Sequence, residues 1–101
     1  MSAIEKHDGS AYFKTPARNL MLYVSRNKSP GWKNVSLLRG RRREQIVFAL
    51  CRDNESCSVE QDRDGIWKVW LDSACFEIRA EDATEIAALL DCSLRPMEAV
   101  P

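Results

Sequence analysis

Apolar and polar residues alternate with a period of two through the middle of this chain. Leu20, Leu22 and Val24 alternate with Met21, Tyr23 and Ser25; Val35, Leu37 and Arg39 alternate with Ser36 and Leu38. Successive side chains of an extended strand point to opposite faces, so each run predicts a strand. Ser29-Pro30-Gly31-Trp32 separates the two runs, with Pro and Gly where a type II turn prefers them. Gly40 ends the second run inside Arg39-Gly40-Arg41-Arg42-Arg43. Residues 45–52 are apolar at both parities, Ile46, Phe48 and Leu50 against Val47, Ala49 and Cys51, which predicts a central strand covered on both sides. After a polar turn at 53–56, Cys57–Gln61 reads as a short strand, and Asp64-Gly65 is a strong hairpin signal. Residues 66–71 and 74–79 give two more strands. In the first, Trp67, Val69 and Leu71 face the core; in the second, Phe76 and Ile78 face in while Glu77 and Arg79 face out.

The period then changes. Ala83, Ile86, Ala87 and Leu90 follow the i, i+3, i+4, i+7 spacing of a helix with one apolar stripe. Glu81, Asp82 and Glu85 fall in its first turns, where the helix dipole favours anions. A helix over about 81–91 is therefore expected to pack on the sheet. The predicted class is α+β: an antiparallel meander of five to six strands, as a sheet or half-open barrel, closed by one C-terminal helix. Residues 1–18 read as a loose arm with a short extended piece at Tyr12 and Phe13, residues 19–92 as a single globular domain, and residues 93–101 as a flexible tail.

Composition sets bounds without naming a function. The chain has 101 residues, 45% of them apolar and 30% charged, as in one ordinary globular domain. No apolar run approaches the roughly 18 residues of a membrane span, and the first ten residues hold no apolar signal segment, so a cytoplasmic protein is the expectation. Cys51, Cys57, Cys75 and Cys92 include no Cys-x-x-Cys pair, which speaks against a zinc knuckle and for free, buried or half-buried thiols. A hairpin disulfide between Cys51 and Cys57 is the lesser alternative.

Charge alters the picture more. The formal net charge is zero, but residues 1–52 carry eleven Lys/Arg against three Asp/Glu, and residues 53–101 carry four against twelve. Between Gly9 and Arg43 there is no acidic residue at all. Segregation of this kind shapes the field a partner meets. The candidate binding surface is the segment 28–43: Lys28, Lys33, Arg39, Arg41, Arg42 and Arg43 for phosphates, with Trp32 and Tyr23 as flat surfaces for stacked bases. The competing reading is neutralisation by Asp53, Glu55, Glu60, Asp62 and Asp64, within one chain or head to tail in a homodimer.

Two other motifs carry less. Glu60, Asp62, Asp64 and Gly65 match the first positions of a calcium-binding loop, but Leu71 stands where its last carboxylate belongs, so a hairpin turn is expected. Trp70 shares a face with Ile66 and Lys68, either as the anchor of a protein interface or as a residue packed under the helix. His7 is the single histidine, and no nucleophile elbow, zinc-binding helix or phosphate-cradling glycine loop occurs; a non-enzymatic binding domain without cofactor or metal is the expectation. Trp32-Lys33, after a basic turn and ahead of a C-terminal helix, resembles the opening hairpin of pleckstrin-homology domains, although one strand and the helix tryptophan of that family are lacking. The resemblance implies binding of anionic headgroups, or a protein scaffold, through Lys28, Lys33, Arg39 and Arg41. The leading expectation is nucleic-acid binding, on a single strand or along the backbone; the alternative is a small inhibitor, adaptor or accessory subunit.

Overall fold

Nine strands and one helix make up the computed structural model, which describes residues 3–26, 31–51, 57–71 and 74–97. The first sheet contains β1 (Ala3–His7), β2 (Ser10–Lys14), β3 (Leu20–Arg26), β4 (Lys33–Arg39) and β5 (Glu44–Cys51), antiparallel and in sequence order. The second contains β6 (Cys57–Gln61), β7 (Trp67–Leu71), β8 (Ala74–Ile78) and β9 (Ser93–Arg95), in the order β8-β7-β6-β9. β9 runs parallel to β6; every other pair is antiparallel. The expected α+β class, with an antiparallel meander and one C-terminal helix, holds, and the second sheet is added to it.

The pleat explains the core. Ala11, Val24, Val35 and Ala49 lie in one cross-strand row of the first sheet, and Phe13, Leu22, Leu37 and Val47 in the next. Val59, Val69 and Phe76 form the matching row of the second sheet. The helix α1 (Ala83–Leu90), preceded by a 3₁₀ turn at Ala80–Asp82, packs on β3 of the first sheet and on β6 and β9 of the second. Its stripe of Ala83, Ile86, Ala87 and Leu90 is buried, so a single apolar cluster joins both sheets through the helix. Asp91 takes the left-handed conformation after the helix (φ 52°), and the amides of Asp91 and Cys92 close on the carbonyls of Ala88 and Ala87. Those bonds satisfy carbonyls that the helix end leaves open.

Three expectations are corrected. Residues 3–14 are a hairpin, not a loose arm: Asp8-Gly9 turns β1 into β2, and Phe13 is buried in the core. Lys6 of β1 also pairs with Glu85 of the helix at 2.7 Å. The expected flexible tail begins with β9, which pairs Leu94 with Val59, so the last strand starts at Ser93. β5 is the edge of its sheet and not a central strand, leaving Ile46 38%, Val47 41%, Phe48 52% and Leu50 40% exposed. A bulge opposite the Leu37–Leu38 step skips Ile46 and shifts the register at the start of the strand. The expected turn at 29–32 and Lys28 lie partly or wholly outside the described residues.

Candidate phosphate-binding groove

Two turns meet at one end of the first sheet. In the β2–β3 turn, the Thr15 hydroxyl accepts the Ala17 amide at 3.1 Å and donates to the Leu20 carbonyl at 3.1 Å. Asn19 adopts a positive φ of 61°, a conformation its short amide tolerates. The Gly40 amide donates to the Asn19 carbonyl at 3.1 Å, fastening the β4–β5 turn to the β2–β3 turn, and Arg43 N closes on Gly40 O at 3.1 Å. Between the two turns lies a groove of about 580 Å³. Ile4, Leu20 and Met21 give it an apolar floor; Lys14, Arg18 and Arg41 supply three cations, and among the described residues no carboxylate lines it. None of these three forms an ion pair among the described residues, and Lys14, Arg18 and Arg41 are all exposed.

An aromatic ledge adjoins the groove. Lys14 lies two residues from Tyr12 on β2, and Met21 two residues from Tyr23 on β3, so the pleat places each pair on one face. The Tyr12 and Tyr23 rings stand 4.7 Å apart at 45°, and the Arg43 guanidinium lies 4.4 Å above Tyr12. Arg43 also donates to Glu5 on β1 at 3.2 Å. In a flat sheet β1 and β5 would stand roughly 19 Å apart, four strand spacings. The Arg43 side chain therefore reaches from the β4–β5 turn across the tyrosine face to Glu5, over a sheet that departs from flat. His7 hydrogen-bonds the same carboxylate at 2.7 Å; that bond, then the one from Arg43, holds the Glu5 carboxyl below its usual range.

The predicted surface is only partly assembled. Arg41 lines the groove, and Arg42 is exposed beside it. Arg39 is paired with Glu44 at 3.1 Å and Arg43 with Glu5, so both are partly neutralised by local carboxylates. Tyr23 is half-buried against Tyr12, and Trp32 is half-buried just ahead of β4; neither lines the groove. Lys33 is corrected outright. It is 2% exposed, on the core-facing row of β4, with Nζ donating to the Asp91 carbonyl at 3.2 Å and lying 3.7 Å from Cys57 Sγ. That ammonium sits on the negative end of the helix and is withheld from any ligand outside.

Sequence reasoning passed over Lys14 and Arg18, which had been assigned to the loose arm although they belong to the same acid-free stretch. The signal that could have found them is Asp8-Gly9, the same hairpin dipeptide as Asp64-Gly65. Trp70 lies on the outer face of the second sheet, opposite Ser58 and Cys75, and is 39% exposed; it is not packed under the helix. The Asp64-Gly65 hairpin forms as expected, with Asp62 Oδ1 accepting the amides of Asp64 and Ile66 and Oδ2 pairing with Lys68 at 3.2 Å. Among the described residues no group of three or more His, Cys, Asp or Glu side chains is spaced to hold a metal ion, and no helix is long and apolar enough to cross a membrane. Compared with known proteins, the chain matches no family model, no curated protein and no solved structure.

Proposed function

We propose that this chain is a non-enzymatic binding domain for single-stranded nucleic acid, gripping backbone phosphates in the groove between the β2–β3 and β4–β5 turns. The observation that carries the reading is the lining: Lys14, Arg18 and Arg41 around an apolar floor, with no carboxylate among the described lining residues. Arginine offers a phosphate two parallel donors, and lysine a compact charge. Arg42 extends the cationic rim, and a base entering on the adjoining face would meet the Tyr12–Tyr23 ledge where Arg43 does not cover it. Chemical-shift mapping with a short oligodeoxythymidine tests this. Amides of residues 14–21 and 40–42 should shift together on titration; shifts confined to the second sheet would overturn the assignment.

A second reading, a protein-interaction module, is favoured by β5. Among the described residues its outer edge pairs with no strand and Ile46, Val47, Phe48 and Leu50 are exposed, and no charged residue occurs from Gln45 to Cys51. An antiparallel second copy across a two-fold axis would set apolar residues against apolar residues, with no like charges opposed. The occupant of this edge is then a second copy of the chain. Sedimentation velocity decides: a dimer abolished by Phe48→Glu supports this reading, and a wild-type monomer at high concentration rejects it.

A further inference from the structure

Beneath the helix C-terminus lies a cluster that the groove does not use. Lys33 reaches the Asp91 carbonyl and Cys57 Sγ from β4. Cys51 ends β5, Cys57 begins β6, and both are buried, at 1% and 3% exposure. Cys92 is half-buried, just after the helix and one residue before β9. Ser58 pairs in parallel with Ser93, so Cys57 and Cys92 stand side by side, one position earlier on each strand. Neighbouring strands are about 4.8 Å apart. That spacing falls within the Cα separation a disulfide accepts. Cys51 and Cys57 flank the β5–β6 connection, and all three thiols belong to the same apolar cluster.

We propose that Cys57 and Cys92 are a thiol pair that a hydroperoxide converts to a disulfide, with Cys92 as the attacking thiol and Lys33, whose ammonium lies against Cys57, as the cation beside the pair. The roles follow from position. Cys92 is the more accessible of the two, and Cys57 lies behind it as the resolving thiol. The Cys57 hydrogen bond, and after it the Lys33 ammonium, favour the Cys92 thiolate against its burial and the nearby Asp91 carboxylate. The same contact with Cys92, with burial, pushes the Cys57 thiol up, so Cys57 keeps its proton. In the first step the Cys92 sulfur attacks one peroxide oxygen and the O–O bond breaks. Cys92 becomes a sulfenic acid, and the leaving hydroxide takes up from solvent the proton that Cys92 lost on ionising and departs as water. In the second step Cys57 sulfur displaces that oxygen; the S–O bond breaks, the S–S bond forms, and a second water leaves with the Cys57 proton. Two thiols have lost two electrons and two protons to one hydroperoxide. The bond would fasten β9 and the end of the helix to β6.

The other thiol, Cys75, lies on the outer face of the second sheet, so the experiment uses Cys75→Ser protein to remove it. Folded protein is treated with hydrogen peroxide, quenched with an alkylating reagent, digested and mapped by mass spectrometry. A Cys57–Cys92 linked peptide that disappears on reduction is the expected result. Cys92→Ser should abolish it while leaving Cys57 as a thiol, and Lys33→Met, shown to be folded by circular dichroism, should slow its formation severalfold. Linkage of Cys51 to Cys57, oxidation of Cys92 without linkage, or an unmodified cluster would each overturn the proposal. The mapping on Cys75→Ser protein keeps Lys33 and all three remaining cysteines, so it decides the matter even where a cluster variant fails to fold.

Discussion

Replacing Ile86 by alanine tests the claim that the helix joins the two sheets. Ile86 is 0% exposed at the middle of the apolar stripe, and α1 packs on β3 on one side and on β6 and β9 on the other. Truncation removes three carbons from a site bounded by two sheets, where collapse around the void is difficult. The cost should therefore reach the middle of the range for such changes, about 3 kcal/mol. With a urea dependence of about 1.5 kcal/mol per molar, the unfolding midpoint should fall by about 2 M. The assay follows tryptophan fluorescence, to which Trp67 and Trp70 contribute from the second sheet, and far-ultraviolet circular dichroism, which reports both sheets. The two curves should coincide in wild type and variant alike, because one apolar cluster spans the molecule. A midpoint shift under about 0.5 M, or fluorescence that unfolds well apart from circular dichroism, would refute the shared core.

Other expectations follow from single contacts. Glu5→Gln releases Arg43 from its ion pair, so it should tighten oligonucleotide binding and steepen its salt dependence by about 0.7 in the log–log slope. Hydrogen bonds from Ile66 N, Lys68 and Asp64 N hold the Asp62 carboxyl below its usual range. A depressed carboxylate stabilises the fold above its unfolded pKa, and that contribution is lost as pH falls through the folded value. The melting-temperature gap between wild type and Asp62→Ala should therefore be steady at neutral pH and close as pH drops below about 4, read by thermal scans across pH. Phe48→Glu should leave the melting temperature nearly unchanged while raising solubility, because that ring is 52% exposed; a large loss of stability would contradict the edge position of β5.

Much of the fold was legible because burial writes itself into period. The alternation of β3 and β4, the Asp64-Gly65 hairpin, and the helical spacing of Ala83, Ile86, Ala87 and Leu90 each correspond to an element. Lys33 was legible in principle: it shares parity with Val35 and Leu37, which places it on the inner face, and only its charge argued otherwise. β5 was not legible. Two apolar faces ordinarily mean a covered strand, and its sequence contains nothing that distinguishes cover within the chain from an open edge. The split into two sheets was hidden as well, because strand spacing along the chain says nothing about which strands pair. The groove joins Lys14 and Arg18 to Arg41 through the Gly40–Asn19 hydrogen bond, a long-range contact that no local pattern records.

The most direct test of phosphate binding in the groove is the salt dependence of fluorescence anisotropy with a labelled single-stranded oligonucleotide. Three phosphate contacts by Lys14, Arg18 and Arg41 predict a slope of about −2 in log affinity against log salt, or about a twentyfold loss of affinity from 50 to 200 mM. Arg41→Ala and Lys14→Ala should each lower the slope by about 0.7, whereas Arg39→Ala, whose guanidinium is held by Glu44, should alter it least. No binding at low salt, or binding with a slope near zero that these substitutions do not change, would contradict the account.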